Sequence, residues 1–227
     1  MSTLLKLLRE QYTLIVSLPS NRKELFEAAA AGGADAVKIH LNVEHRASGN
    51  RFGTLEENRA FIEAILAEHR VPVGVVPGDA VEKVTPELVR ELAELKVDFL
   101  SLYAHHAPPW LLDRPGTARM IAVNDQYGAE QVTALSAVGI DILEASIMRP
   151  EQYGTPMTVQ DLAAYRMLAQ RIDRPVVVPT QKAVHEDDLA ALFRTGIKGL
   201  MIGAVVTGHE PESIYRTTKR FKERMLA

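Results

Sequence analysis

Cysteine is absent from the 227 residues of this sequence. Its absence excludes disulfide bonds, cysteine-ligated metal sites and a cysteine nucleophile. An excess of basic charge is also absent, because 26 Lys and Arg residues face 29 Asp and Glu residues, for a formal net charge of −3. Such a chain has no electrostatic reason to bind nucleic acid or an anionic membrane, so we expect neither as a partner.

Long apolar runs and linker-like stretches are absent as well. The amino-terminal segment "MSTLLKLLREQY" is too short and too charged for a signal peptide or a membrane span, and it predicts a short first helix. Proline and glycine are spread evenly along the chain. The hydrophobic fraction of 47% is sufficient for a sizeable core. We therefore expect one domain over residues 1–227, in a cytoplasmic protein.

A repeated pattern indicates the fold. Each of the segments "GADAVKIH", "KVDFLSLY", "GIDILEAS" and "GIKGLMIG" follows an amphipathic helix and is typical of a turn followed by a strand. Between them lie the strand candidates "YTLIVSLP", "VPVGVVPG", "ARMIAVND" and "RPVVVPTQ". Strands that alternate with helices form parallel sheets, and eight such units in this length predict a single (β/α)8 TIM barrel. The alternative, a doubly wound open sheet, lacks a supporting G-x-G-x-x-G turn.

The alternation of side chains along the four related strands predicts the barrel interior. One set is apolar throughout and is predicted to pack against the outer helices. The other set points inward in two layers. These layers are Lys38, Ser101, Glu144 and Met201 in the middle, and His40, Tyr103, Ser146 and Gly203 above.

A lysine and a glutamate in a barrel interior each require a partner, because burial of a lone charge is unfavourable. We predict that Lys38 and Glu144 pair across the barrel. The pair has two interpretations. It is either a structural ion pair, or a catalytic pair that transfers protons or holds a substrate oxyanion, with Lys38 also a candidate for Schiff-base formation.

Active sites of TIM barrels lie at the carboxyl ends of the strands. The predicted catalytic residues are Lys38, Glu144, His40 and Asn124. The predicted substrate or lid residues are Asn42, His45 and Arg46 in the long loop after the second strand, with Tyr103, His105 and Arg149. No metal or other cofactor is predicted, because no histidine pair has a ligand-like spacing. Metal binding by His40, Asp79 and His105 or His106 is the alternative.

The stretch "KGLMIGAVVTGHEPESI" predicts the last strand and a phosphate site at its end. Phosphate sites of this fold use the loops after the last two strands and the start of a short helix, and "AVVTG" has room for one helical turn. The predicted phosphate-binding residues are Gln181, Lys182, Gly203 and Ala204. Alternatively, Gly203 only relieves crowding at the barrel mouth.

The layout of the chain resembles the ribulose-phosphate-binding barrel superfamily, and within it the N-acylglucosamine-6-phosphate 2-epimerases. The segments "GADAVKIHLN", "VPVGVVPGD" and "GIKGLMIGAVVTGHEPESI" resemble the second and third strands and the phosphate-binding end of that family. The resemblance implies a TIM barrel that handles phosphate. The family's catalytic lysine corresponds to Pro77 here, with Asp79 kept, and its catalytic glutamate corresponds to a position near Thr180. The epimerase acid/base pair is therefore missing.

These observations predict an enzyme that acts on a small phosphorylated sugar or keto acid. The reaction is either proton transfer, as in an isomerase or epimerase, or carbon–carbon cleavage, as in an aldolase-type lyase. One alternative is a non-catalytic barrel that binds a phosphorylated metabolite, and another is a metal-dependent lyase that uses the rim histidines. The expected partner is a small phosphorylated metabolite, and the sequence leaves a homo-oligomer open.

Overall fold

A computed structural model describes residues 2–45 and 48–226 of the chain. Its centre is a closed barrel of eight parallel strands, in which each strand pairs with the next along the chain and the last pairs with the first. The strands are β1 (Thr13–Ser17), β2 (Ala36–His40), β3 (Val73–Val76), β4 (Phe99–Tyr103), β5 (Ala118–Val123), β6 (Ile142–Ala145), β7 (Val176–Pro179) and β8 (Gly199–Ile202). The predicted TIM barrel is confirmed.

Helices follow the strands and surround the barrel. They are α1 (Thr3–Glu10), α2 (Lys23–Ala31), α3 (Leu55–Glu68), α4 (Pro86–Glu94), α5 (Ala129–Ala137), α6 (Val159–Arg171), α7 (Leu189–Arg194), α8 (Ala204–Thr207) and α9 (Pro211–Leu226). Short 3-10 turns occupy Val81–Lys83, Ala104–His106, Pro109–Asp113, Pro150–Gln152 and Glu186–Asp188. Within the described ranges, no helix combines the length and apolar character needed to cross a membrane.

Helices α3 and α6, which follow β2 and β6, begin at side-chain caps. Thr54 and Glu57 form a reciprocal capping box at α3, and Thr158 and Asp161 form another at α6. A capping box pairs two backbone N–H groups that the first turn of a helix leaves without partners. The local sequence therefore determines where these helices begin, and hence how long the preceding loops are.

The amino-terminal end of the barrel is closed by α1, the predicted first helix. Leu4, Leu5 and Leu8 pack into a buried cluster with the lowest inward layer, which includes Phe99. The carboxylate of Asp98 accepts hydrogen bonds from the Ser2 hydroxyl (2.7 Å) and from the N–H groups of Thr3 (2.7 Å) and Leu4 (2.9 Å). The barrel is therefore filled at this end, and only its opposite end is open.

The inward and outward sets of side chains lie as the alternation predicts. The outward set belongs to the helix-facing core and comprises Val37, Ile39, Leu100, Leu102, Leu143, Ala145, Leu200 and Ile202. The two predicted inward layers line a cavity at the carboxyl ends of the strands. The strand register thus decides which side chains a ligand can reach.

Candidate active site

The open end of the barrel holds a cavity of about 640 Å³. This volume lies within the range of small-molecule sites. Of the predicted site residues, Lys38, His40, His45, Tyr103, His105, Asn124, Glu144, Gln181, Gly203 and Ala204 line it. The carboxyl ends of the strands, where sites of this fold occur, therefore bring together residues from distant parts of the chain.

An ion pair forms the inner part of the cavity. Lys38 Nζ lies 3.3 Å from Glu144 Oε2 and 3.5 Å from Oε1, and both side chains are 7% exposed. The Ser101 hydroxyl donates a 2.8 Å hydrogen bond to the same Oε2 atom. The predicted pairing of Lys38 with Glu144 is confirmed. Because both residues also line the cavity, a bound molecule would meet this pair directly.

A second polar link lies one layer nearer the mouth. The hydroxyl groups of Tyr103 and Ser146 are 2.8 Å apart, joining β4 to β6 as Ser101 and Glu144 do below them. Between these strands β5 contributes Ala122, which also lines the cavity. Its single methyl group leaves space for side chains that span the strand.

The imidazole of His40 is almost completely buried, with 1% exposure. Its ring centroid lies 4.3 Å from that of His45 and 4.6 Å from that of Phe52. Burial lowers the pKa of His40 well below its usual value, and the nearby His45 and Lys38 lower it further. Burial, followed by the charge of Lys38, lowers the pKa of His45 to about 4. Both rings are therefore neutral at neutral pH.

A second group of rings follows β4. The rings of Tyr103 and His105 stack with centroids 5.1 Å apart, and His106 meets His105 edge-on at 4.2 Å. Burial, followed by the charge of His105, lowers the pKa of His106. His105 also approaches Tyr127, whose hydroxyl lies 3.4 Å from its Nδ1. The exit of β4 thus contributes rings to the cavity mouth.

The long loop after β2 folds into a hairpin in which Glu44–His45 pairs with Asn50–Arg51. The Asn50 side chain donates to the carbonyl of Pro19 (2.8 Å), and the Asn42 side chain donates to the carbonyl of Pro77 (3.0 Å). These bonds attach the hairpin to the exits of β1 and β3. The amide of Asn42 is directed to Pro77 and Asn42 does not line the cavity, so its role as a substrate residue stays a prediction. Arg46 lies outside the described residues.

The end of β8 matches the predicted transition to a short helix. Gly203 is the N-cap of α8, and its N–H donates to the Thr180 hydroxyl at 3.0 Å. Ala204 and Val205 begin the helix, where N–H groups have no partner within the helix itself. Gly203 and Ala204 line the cavity. Whether they bind phosphate stays a prediction.

Lys182, which is predicted to bind phosphate, has its ammonium group beside Asp161 and Thr155 and outside the cavity. Its Nζ lies 3.4 Å from Asp161 Oδ2 and 2.9 Å from Thr155 Oγ1, and its side chain is 6% exposed. It does not line the cavity. After β7 ends, the side chain turns toward the start of α6, where a buried carboxylate is available. Lys182 therefore holds the loop between β6 and α6.

Gln181 serves the same loop although it lines the cavity. Its side-chain oxygen accepts from the Met148 N–H (3.0 Å), and its amide donates to the Tyr153 hydroxyl (2.6 Å). The amide therefore has a structural role in this loop, and its role as a phosphate residue stays a prediction. Arg149 is exposed and does not line the cavity, and its role as a substrate residue stays a prediction. Its 3-10 turn directs the side chain toward solvent.

Asn124 lines the cavity, and its side-chain oxygen accepts from the Gln126 N–H at 3.1 Å. Its NH₂ group and the second lone pair of its side-chain oxygen can contact a ligand. Sequence reasoning missed Met148 and Tyr153, which line the cavity from the loop after β6. Loops lack the periodicity that identified the strand residues, so the sequence carries no signal for these two positions.

Known structures share this architecture. Thiamine phosphate pyrophosphorylase from Pyrococcus furiosus is similar with 17% identity, a TM-score of 0.67, and coverage of 96% of this chain and 98% of that one. Tryptophan synthase from M. tuberculosis is similar with 16% identity, a TM-score of 0.72, and coverage of 100% and 99%. A mutant tryptophan synthase α-subunit from P. furiosus gives 12% identity, a TM-score of 0.72, and coverage of 93% and 98%. At these identities the likeness shows the TIM-barrel fold.

No protein-family model and no curated protein matches the sequence.

Proposed function

We propose that this protein is an enzyme that transfers protons on a small phosphorylated sugar or keto acid, using Lys38 and Glu144. The observation that carries the proposal is the buried ion pair at the edge of an open cavity. Burial of two charges is seldom a net gain in stability. A pair retained where substrate would bind is therefore better explained by chemistry than by stability.

A second buried ion pair provides the contrast. Lys182 and Asp161 are 6% and 8% exposed, almost as buried as Lys38 and Glu144, but they lie outside the cavity and attach a loop. The two pairs have similar charge and burial and differ in access to a ligand. The Lys182–Asp161 pair is thus the internal reference for a purely structural role.

The geometry suits removal of a proton from a carbon next to a carbonyl group. Glu144 acts as the general base, with its carboxylate oriented by the hydrogen bond from Ser101. The Lys38 ammonium stabilises the oxyanion that develops on the carbonyl oxygen. Glu144 then returns the proton to the same or a neighbouring carbon, which completes an isomerisation or epimerisation.

The substrate's phosphate is proposed to lie at Gly203 and Ala204. The start of α8 offers N–H groups, and Gly203 permits a close approach to the main chain. One similar structure, thiamine phosphate pyrophosphorylase, has a phosphate compound in its name, which supports this choice of anion. Lys182 takes no part, since it is paired with Asp161.

Exchange of substrate protons with deuterated water tests the proposal. Phosphorylated ketoses and keto acids that raise the thermal midpoint of the protein are incubated in D₂O, and loss of the C–H signal is followed by NMR. Glu144→Gln and Lys38→Met should each slow the exchange at least about 100-fold, because each removes an acid/base or oxyanion-stabilising group. The matched control Lys182→Met should retain exchange. Binding without exchange in the unaltered protein would support the non-catalytic alternative.

Carbon–carbon cleavage through a Schiff base is the second candidate. Lys38 is the one lysine that lines the cavity among the described residues, which favours it as the amine. Borohydride applied to the same variants with the same compounds separates the two reactions. A Schiff-base enzyme becomes covalently labelled at Lys38 and loses labelling in Lys38→Met, whereas a proton-transfer enzyme is unlabelled.

A further inference from the structure

Two sides of the cavity mouth differ in chemistry. Five rings line one side, at the exits of β2 and β4, and we refer to them as the ring wall: His40, His45, Tyr103, His105 and His106. Small residues line the other side, at the exits of β7, β8 and β1, and we refer to them as the small side: Ser17, Thr180, Gly203 and Ala204. In a closed barrel of eight strands β4 lies opposite β8, so a ligand that spans the mouth meets both sides.

The ring wall is polarisable, and three of its four histidines are neutral at neutral pH. Within it, His40 and His45 pack with centroids 4.3 Å apart, and Tyr103 and His105 stack at 5.1 Å with an interplanar angle of 23°. Lowered pKa values keep His40, His45 and His106 neutral at neutral pH. Their contribution to binding therefore comes from ring faces, ring edges and N–H groups and not from positive charge.

Carboxylates at the mouth reinforce this difference. Glu44, Asp79 and Asp125 line the cavity on the side of β2, β3 and β5. Lys83 Nζ lies 2.5 Å from Asp79 Oδ1 and offsets its charge, whereas Glu44 and Asp125 form no ion pair with the described residues and repel anions there. None of the four residues that define the small side is acidic. An anionic group is therefore directed to the small side and a neutral group to the ring wall.

We infer that the substrate carries a planar aromatic or conjugated ring that packs on the ring wall, joined by a short spacer to the anionic group on the small side. The inference rests on the proposed function for the anionic end only. The ring end follows from the contacts and charges of the ring wall. Together, the two ends restrict the substrate to phosphate compounds that carry such a ring, and they disfavour purely aliphatic phosphate compounds.

Four simple probes test this inference by protein NMR titration. They are 2-phenylethyl phosphate, 2-cyclohexylethyl phosphate, glycerol 3-phosphate and 2-phenylethanol. The phenyl and cyclohexyl compounds match in size and charge and differ in planarity. We expect 2-phenylethyl phosphate to bind about threefold to tenfold more tightly than the cyclohexyl compound. Its affinity should exceed that of glycerol 3-phosphate by a larger factor.

Variants locate the effect. His105→Ala removes an exposed ring and leaves the buried layers intact, so the variant should fold and should abolish most of the preference for the phenyl compound. His45→Ala is the second variant, and it removes the half-buried ring that packs on His40. His185→Ala is the matched control, because His185 is 64% exposed, lies in a separate turn and does not line the cavity. It should keep the full preference.

Different failures are distinguishable. Equal binding of the phenyl and cyclohexyl compounds, or a preference that survives both His105→Ala and His45→Ala, overturns the ring inference while leaving the proposed phosphate site standing. A third outcome is that 2-phenylethanol binds in a way that depends on His105 and that 2-phenylethyl phosphate binds no more tightly. This result supports the binding of a ring at the ring wall and overturns the proposed binding of the anionic group. Absence of binding by all four probes overturns both.

Discussion

At the scale of single residues, the sequence of alternating side chains explains most of the site. Lys38, Ser101 and Glu144 are all inward residues of one layer, and the structure joins them by hydrogen bonds. The neutral histidines above them could not be deduced from composition. Their state depends on burial, because the removal of water disfavours the charged imidazole.

Burial of His45 predicts a dependence of stability on pH. Its pKa falls from 6.5 to about 4 in the folded protein, so the unfolded chain binds a proton more readily. The contribution of His45 to the free energy of unfolding is fully present above pH 6.5. It declines as the pH falls toward 4, by up to about 3 kcal/mol. His40 acts in the same direction. Urea unfolding at pH 8, 6 and 5 measures the decline.

His45→Gln is the control for this pH dependence, because glutamine keeps hydrogen-bonding capacity and does not titrate in this range. The free energy of unfolding of this variant should fall less steeply between pH 6.5 and pH 5. A slope unchanged from that of the original protein would show that His45 does not contribute.

At the scale of elements, helix ends and loop attachments decide what borders the cavity. The loop after β6 is held by Gln181 and Lys182, and the hairpin after β2 is held by Asn42 and Asn50. Three of these four residues were predicted to bind ligand. Polar residues near a barrel mouth have two competing uses, and the position of the nearest partner decides between them.

The attachment of α1 gives a prediction at this scale. The Asp98 carboxylate accepts hydrogen bonds from Ser2, Thr3 and Leu4 at the start of the helix. Asp98→Ala should lower the free energy of unfolding by about 1–3 kcal/mol, because charge-assisted bonds to the helix start are lost. Urea unfolding measures the loss, and hydrogen exchange should increase in α1 first. Asp113→Ala, at an exposed carboxylate, should have little effect.

At the scale of the whole molecule, the barrel is filled at one end and open at the other. Glycine permits the filling. A Cβ atom at Gly74 would lie 2.0 Å from the Phe99 ring, and one at Gly199 would lie 2.8 Å from Leu8. The same set of strands therefore holds the packed apolar cluster at the closed end, which includes Leu8 and Phe99, and the polar cavity at the open end.

Gly74→Ala tests this filling. The added methyl group overlaps the Phe99 ring, and we expect the free energy of unfolding to fall by about 1–3 kcal/mol or more. Phe99→Leu in the same chain should restore part of the loss by making room. Gly128→Ala, where the nearest atom would be 3.7 Å away, should lower stability by no more than about 1 kcal/mol, because alanine is only a poorer helix N-cap than glycine. Similar losses at both glycines would contradict the account.

The sequence by itself determined the TIM barrel, the inward layers and the Lys38–Glu144 pair. These features depend on local periodicity and on the regular alternation of strands and helices, which the strand and helix segments display in the sequence itself. Only the tertiary structure decided that Lys182 pairs with Asp161, that Asn42 and Arg149 do not line the cavity, and that five of the six rings lining it among the described residues gather on one side. Those outcomes depend on loop paths and on partners distant in sequence, for which no periodic pattern exists.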